Sequence, residues 1–289
     1  IAAVETVTGG TAADVVVLTA QATGTSIDLG GDDDTLTLGA FVNTVTVSNV
    51  ETLTGGSTND TVTLGAQSTG STIDLGAGLD TLVLGASVNT VTVSNVETIT
   101  GGSTNDTVVF GAAVTGATID LGDGLDKLTL AAAGGTVTVT NVETVTGAAA
   151  ADLVTLVTQA TGLTIDLAGG ADTLVLGAFV NTVTASNVET ITGAGSTDTI
   201  VLAAQATGAV IDLAGGYDSL TLGAYVNTVT VSNVETITGG ASADTVTLGA
   251  QATGSTIDLG AGLDRLTLGD FANTVTVSNV ETLVGGTAD

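Results

Sequence analysis

Cysteine, methionine, proline, histidine and tryptophan are all absent from this chain of 289 residues, and only Lys127 and Arg265 carry positive charge. Such a composition excludes an average globular domain. With 30 acidic residues the formal charge is −28, which excludes nucleic acid and anionic membrane surfaces as partners and favours cations. No run approaches the roughly eighteen apolar residues of a membrane span, and no basic segment leads into an apolar one as in a secretory signal. Membrane insertion is therefore not expected. The lack of cysteine leaves the compartment open, since it fits reducing cytosol and bacterial surfaces alike. The chain opens at Ile1 and both ends fall inside a sequence pattern, so it is expected to be an excerpt or a processed product of something longer.

What is present is repetition. Val-Glu-Thr returns with Glu5, Glu51, Glu97, Glu143, Glu189, Glu235 and Glu281, each 46 residues after the last. Asp28, Asp74, Asp120, Asp166, Asp212 and Asp258 fall midway, 23 residues after the preceding Glu. Residues 1–289 thus read as one continuous array of about six repeats, starting near 5, 51, 97, 143, 189, 235 and 281, without separate caps. Each repeat divides into two elementary turns of 23 residues.

Within one repeat, Thr61-Val62-Thr63-Leu64, Thr72-Ile73-Asp74-Leu75, Thr81-Leu82-Val83-Leu84 and Thr90-Val91-Thr92-Val93 alternate in polarity and are rich in β-branched residues, which predicts strands. Gly55-Gly56-Ser57, Gly76-Ala77-Gly78 and Ser94-Asn95 mark the corners between them. Helices are excluded, because each of the glycines would cost a helix interior about 1 kcal/mol. Strands of four or five residues cannot bury a face alone, but coils stacked about 4.8 Å apart align Val, Ile and Leu into a thin continuous core. The expectation is an all-β parallel β-solenoid, β-helix- or β-roll-like and rod-shaped, with about 23 residues per coil, two coils per repeat and room for a third short strand in each. An aromatic content of 2% suits so narrow an interior. Asn49, Asn95, Asn141, Asn187, Asn233 and Asn279 share one repeat position and are expected to stack as an amide ladder at a corner.

The acids carry the chemistry. A second series runs Asp14, Asp34, Asp60, Asp80, Asp106, Asp126, Asp152, Asp172, Asp198, Asp218, Asp244, Asp264 and Asp289, at separations alternating between 20 and 26 until the last step. Stacked one per coil, like charges about 5 Å apart would repel by about 3 kcal/mol per neighbouring pair at an effective dielectric near 20. Bulk salt relieves part of this at an exposed edge. A divalent cation held between coils would turn the repulsion into a cross-link.

The turns themselves resemble a known pattern. Around Asp80 the chain reads Leu75-Gly76-Ala77-Gly78-Leu79-Asp80-Thr81-Leu82, and around Asp106 Gly101-Gly102-Ser103-Thr104-Asn105-Asp106-Thr107-Val108. Both are similar to the calcium-binding nonapeptide of repeats-in-toxin (RTX) proteins, G-G-x-G-x-D-x-U-x, each with one glycine replaced. The resemblance implies a right-handed solenoid in which turn carbonyls and the Asp carboxylate hold Ca²⁺ between coils, as hard oxygen donors suit that ion. It assigns that role to Asp80, Asp126 and Asp264, whose turns keep both spaced glycines, and with them to Asp34, Asp60, Asp106, Asp172 and Asp218. Asp74, Asp120 and Asp258, six residues before a turn Asp, are candidate additional ligands. The turns before Asp14, Asp152 and Asp244 depart further from the pattern. Because the motif recurs at 20 and 26 rather than every nine residues, ions are expected along one edge only. The alternative is that these aspartates simply start strands, their side chains bonding local amides.

Function is a separate question, because solenoids host many activities. Regularity without a unique constellation points to a structural protein at the cell exterior or bacterial surface: an adhesin stalk, a surface-layer component or a matrix-fibre subunit, stabilised by calcium and self-associating end to end or laterally. Long arrays resembling these Val-Glu-Thr-Ile-Thr-Gly repeats occur in bacterial surface proteins and adhesins. An enzyme acting on acidic polysaccharide is disfavoured by the negative surface, the absence of His and the lack of any carboxylate pair distinct from its copies. The third class is ice binding, through Thr44/Thr46, Thr90/Thr92, Thr136/Thr138, Thr182/Thr184 and Thr228/Thr230, if these line one flat face. Phe41, Phe179, Tyr225 and Phe271 share a repeat position and offer either a lateral contact stripe or cover for a corner. Lys127 and Arg265 each follow a turn Asp and are placed to pair with it weakly.

Overall fold

The computed structural model describes residues 4–287, so Asp289 of the second acidic series lies outside the described residues. The chain divides into two compact units, residues 1–144 and 145–289. Each is built in the same way. Strands of three to nine residues alternate inward aliphatic with outward polar side chains, as in Thr61–Leu64, where Val62 and Leu64 are buried between partly exposed threonines. Inward and outward residues alternate because successive Cβ atoms leave a strand on opposite sides.

In the first unit, one sheet collects Thr6–Gly10, Thr23–Gly30, Thr44–Ser48, Thr61–Leu64, Thr81–Val83, Thr98–Gly102, Val114–Gly122 and Gly135–Thr140. The other collects the strands that fall between them: Val15–Val17, Thr35–Thr37, Thr52–Gly56, Thr69–Gly76, Thr90–Ser94, Thr107–Phe110 and Lys127–Thr129. Every pairing is parallel and joins a strand to the next but one, as in Thr61↔Thr81 and Thr81↔Thr98. The second unit repeats the arrangement in two sheets opening with Leu153–Leu156 and Thr161–Asp166. This is a parallel β-solenoid, all β, with its core a single layer of aliphatic side chains between two sheets. Leu53, Ile73, Leu82, Val91 and Ile99 are all at most 2% exposed, and each such side chain stabilises the fold by about 1.5–3 kcal/mol. Phe110 is the one aromatic residue buried there among the described residues.

The coil is two-sided, and neighbouring strands advance by 20 or 17 residues, close to the expected 23. The difference has a consequence for the repeat. Residues 51–96 contain five strands, Thr52–Gly56, Thr61–Leu64, Thr69–Gly76, Thr81–Val83 and Thr90–Ser94. With two strands per coil, a repeat makes two and a half coils instead of two. Every feature of one repeat therefore reappears on the opposite sheet, or the opposite edge, in the next.

Three expectations change accordingly. The turn aspartates of the first unit occupy both edges, Asp60 and Asp80 on one and Asp106 and Asp126 on the other, where one edge was expected. Asn49 and Asn95 likewise alternate between edges and do not stack on each other; each has φ above +50° and donates from Nδ2 to an Asp of the preceding coil, Asn49 to Asp28 and Asn95 to Asp74, both at 2.7 Å. The pairs Thr44/Thr46 and Thr90/Thr92 lie on opposite faces of their unit.

Direction also bears on two smaller readings. Lys127 and Arg265 lie exposed on the outer faces while Asp126 and Asp264 beside them point inward, so the alternation of the strand keeps each pair apart. The rings of Phe41, Phe179, Tyr225 and Phe271 fold over Gly39, Gly177, Gly223 and Gly269 at a corner.

Candidate cation sites at the stacked corners

Each corner aspartate is fixed by backbone amides rather than by other charges. In the first unit the Asn43 backbone N–H donates to Asp60 Oδ1 (2.9 Å), the Asp60 N–H to Asp80 Oδ1 (2.6 Å), and the Asp80 N–H to Glu97 Oε2 (2.8 Å). The ladder begins one coil earlier, where the Ala22 N–H donates to Asn43 Oδ1. On the opposite edge the same ladder runs Ser68, Asn89, Asp106, Asp126, Glu143. The second unit holds two further complete copies, Ala160, Asn181, Asp198, Asp218, Glu235 and Ala206, Asn227, Asp244, Asp264, Glu281. Shorter runs join Asp14, Asp34 and Glu51, and Asp152, Asp172 and Glu189.

The geometry follows from the turn chemistry. In Leu75-Gly76-Ala77-Gly78-Leu79-Asp80, Gly76 and Gly78 have φ of +85° and +154°, which lets the chain reverse tightly and aim Asp80 into the corner. A Cβ on Gly78 would press on the Thr58 backbone and on Asp80 Oδ1, at 2.9 and 3.0 Å. The turn containing Asp80 therefore sits directly on the turn containing Thr58 and Asp60.

Asp34, Asp80, Asp126, Asp172, Asp218 and Asp264 are at most 1% exposed. In each, one carboxylate oxygen takes the neighbouring amide, and the other, Oδ2, is buried with no hydrogen-bond partner. Asp106 and Asp198 share this condition, and the Thr58 and Thr104 hydroxyls are buried without partners as well. In Asp60, Asp152 and Asp244, by contrast, Oδ2 accepts the N–H of Gly56, Ala148 and Gly240 within the aspartate's own turn.

The electrostatic result is a set of strained acids. Burial pushes the carboxyls of Asp80, Asp126 and Asp218 up to about 6, offset in part by the amide each accepts and reinforced by the flanking carboxylates, Glu97 and Asp60 in the case of Asp80. Asp172, Asp198 and Asp264 are raised for the same first cause. A buried anionic oxygen without a donor is costly, and a hard cation is one partner that would satisfy it.

The residues fit a calcium ion in part. Each of the eight aspartates with an unpartnered Oδ2 offers one free carboxylate oxygen, and the corners add the carbonyls of a tight turn and, in two places, a threonine hydroxyl. Among the described residues no three carboxylates converge on one point, so backbone carbonyls and water would complete the shell. Asp74, Asp120 and Asp258 are not members of these ladders: each Oδ1 accepts an Asn Nδ2 (Asn95, Asn141, Asn279) and the N–H two residues on. Those bonds hold Asp258 below the usual carboxylate range, the Asn279 bond first.

Sequence reasoning missed the Asn and the Glu members of the ladder. Asn43, Asn89, Asn181 and Asn227 are fully buried, and each Nδ2 donates both to the following Asp and to turn carbonyls, as Asn89 does to Asp106, Leu84 and Ser87. The signal was the recurring Val-Asn-Thr, in which Gly135 replaces Asn once. Asp198 was a further omission. No protein-family model matches the chain, and no curated protein matches it.

Proposed function

We propose that this chain is a non-catalytic structural protein of the cell exterior, part of a surface adhesin, surface layer or matrix fibre, whose stacked coils are tied together by Ca²⁺ at their corners. The observation that carries the reading is the partnerless, buried Oδ2 of Asp34, Asp80, Asp126, Asp172, Asp218 and Asp264, one per equivalent turn. Calcium would take that oxygen, neutralise a column of like charges and join one turn to the next. Extracellular calcium is abundant enough to fill sites of millimolar affinity, and a net charge of −28 concentrates cations at the surface.

The structural assignment rests on sameness. The carboxylates of the two acidic series recur from repeat to repeat, with only Asp32, Asp33, Asp123 and Asp270 outside them, and the surface recesses are themselves copies, one at Asn49, Glu51 and Gln67, others at Asn187, Glu189 and Gln205 and at Asn233, Glu235 and Gln251. A scaffold uses such regularity, whereas catalysis needs one distinguished constellation. Calorimetric titration with Ca²⁺ tests the proposal. Saturable binding that weakens when Asp80 and Asp126 are changed to Asn supports it, and heat of dilution alone refutes it.

A further inference from the structure

One outer face of each unit carries an unbroken column of hydroxyls. In the first unit Thr44, Thr61, Thr81, Thr98, Thr118 and Thr138 follow one another in register on six consecutive strands of one sheet. In the second, Thr182, Thr199, Ser219, Thr236, Thr256 and Thr276 do the same. A companion column lies two residues further along each strand. It reads Thr46, Thr63, Val83, Thr100 before Asp120 in the first unit, and Thr184, Val201, Thr221, Thr238 before Asp258 in the second.

Strand propensity does not account for these columns. Val, Ile, Tyr and Phe serve a strand as well as Thr does, and the opposite faces show the looser choice. There Thr92 is followed by Val109 and Thr107 by Lys127, and Thr190 by Val210 and Thr245 by Arg265. The chain's only two basic residues are thus both on the faces without the unbroken column. The two six-residue columns contain no charge, although the chain holds 30 acids, whereas each companion column runs into one aspartate, Asp120 or Asp258.

The spacing of the array is set by the sheet. Rungs lie about 4.8 Å apart across strands, close to the shorter repeat of water oxygens on the prism planes of hexagonal ice, and about 6.6 Å apart along them, somewhat below the longer one. Threonine is stiff at χ1, so each residue presents a methyl and a hydroxyl in a fixed orientation at low entropic cost. We infer that these two faces bind ice, ordering water between threonine methyls in the pattern of the crystal plane. This activity is independent of the calcium reading and uses a different surface.

The test is inhibition of ice recrystallisation and ice shaping in calcium-containing buffer. One variant places Thr81→Lys, Thr98→Lys, Thr199→Lys and Thr236→Lys on the hydroxyl faces. A matched control places Thr52→Lys, Thr92→Lys, Thr190→Lys and Thr245→Lys on the opposite ones, and far-UV circular dichroism verifies both folds. The inference predicts faceted, slowed ice with the unaltered chain and the control, and loss of both effects in the hydroxyl-face variant. Ice growth unaffected by the unaltered chain overturns it, as does full activity of the hydroxyl-face variant. If the lysines instead only dissolve a dimer seen by sedimentation, with no effect on ice, the face joins two copies of this chain and the inference fails.

Discussion

Asp80 accepts the backbone N–H of Asp60 across one coil at 2.6 Å, and does so with only one of its two carboxylate oxygens. The bond explains why an acid is tolerated in the corner at all, since an amide of the adjacent coil is otherwise left without its ladder partner. It also leaves a second oxygen that neither water nor protein reaches. The stability of the solenoid should therefore depend on what happens to that oxygen.

Acidity is the first lever. Because Asp80, Asp126 and Asp218 titrate near 6 in the folded chain against 3.8 for an ordinary Asp, the folded state binds more protons than the unfolded state between those values. Stability without divalent cations must then rise as pH falls from about 7 to about 4, the burial penalty being complete above 6 and gone below the unfolded value. Thermal unfolding in chelator at pH 7.5 and pH 5 checks the sign. A higher midpoint at pH 5 is expected, opposite to the behaviour of a chain held by ion pairs.

Removing the charge is the second. Asp80→Asn keeps an oxygen for the Asp60 amide and replaces the anionic Oδ2 by a neutral group. In chelator the variant should be at least as stable as the parent at neutral pH, and calcium should stabilise it less. Paired melting curves with and without Ca²⁺ separate the two effects.

The buried asparagines give a third. Asn89→Ala strips an acceptor from the Ser68 amide and donors from Leu84, Ser87 and Asp106. Leaving such buried groups unpaired costs about 1–3 kcal/mol. Asn273, only half-buried, accepts the Ala252 amide and donates to the Leu268 and Phe271 carbonyls, and should tolerate Ala with a smaller loss. Urea unfolding of the two variants measures the difference.

Glycine supplies the fourth. A Cβ on Gly55 would run into the Leu75 carbonyl of the adjacent strand, whereas one on Gly70 meets nothing within 4 Å and has only its φ of +85° to resist it. Gly55→Ala should disrupt the stack locally. Gly70→Ala should cost about 1–2 kcal/mol, the left-handed penalty alone.

These glycines also show where the sequence was legible and where it was not. The repeat, the strand character and the inward Val, Ile and Leu follow from period-two alternation, which is local. The number of strands per repeat was hidden at Thr52–Gly56, because Gly55-Gly56 reads as a corner when it is the end of a strand pressed against its neighbour's backbone. Missing one strand made the count even, and an even count puts every repeat on the same side. The ends of the ladder were hidden for a related reason. Asn89 and Asp106 are 17 residues apart in the chain and meet only once coil length and register are known. The turn aspartates, in contrast, were legible because Gly-rich turns and a following aliphatic residue lie within eight positions of one another.

The most direct test of the account is thermal unfolding followed by far-UV circular dichroism at pH 7.5, in millimolar Ca²⁺ and then in excess chelator at equal ionic strength. The account predicts a midpoint that rises with calcium concentration and falls back on chelation, by linkage to sites present only in the folded chain. An identical midpoint and spectrum in both conditions would contradict it, and would leave the corner aspartates as turn-forming residues held by the amides of the next coil.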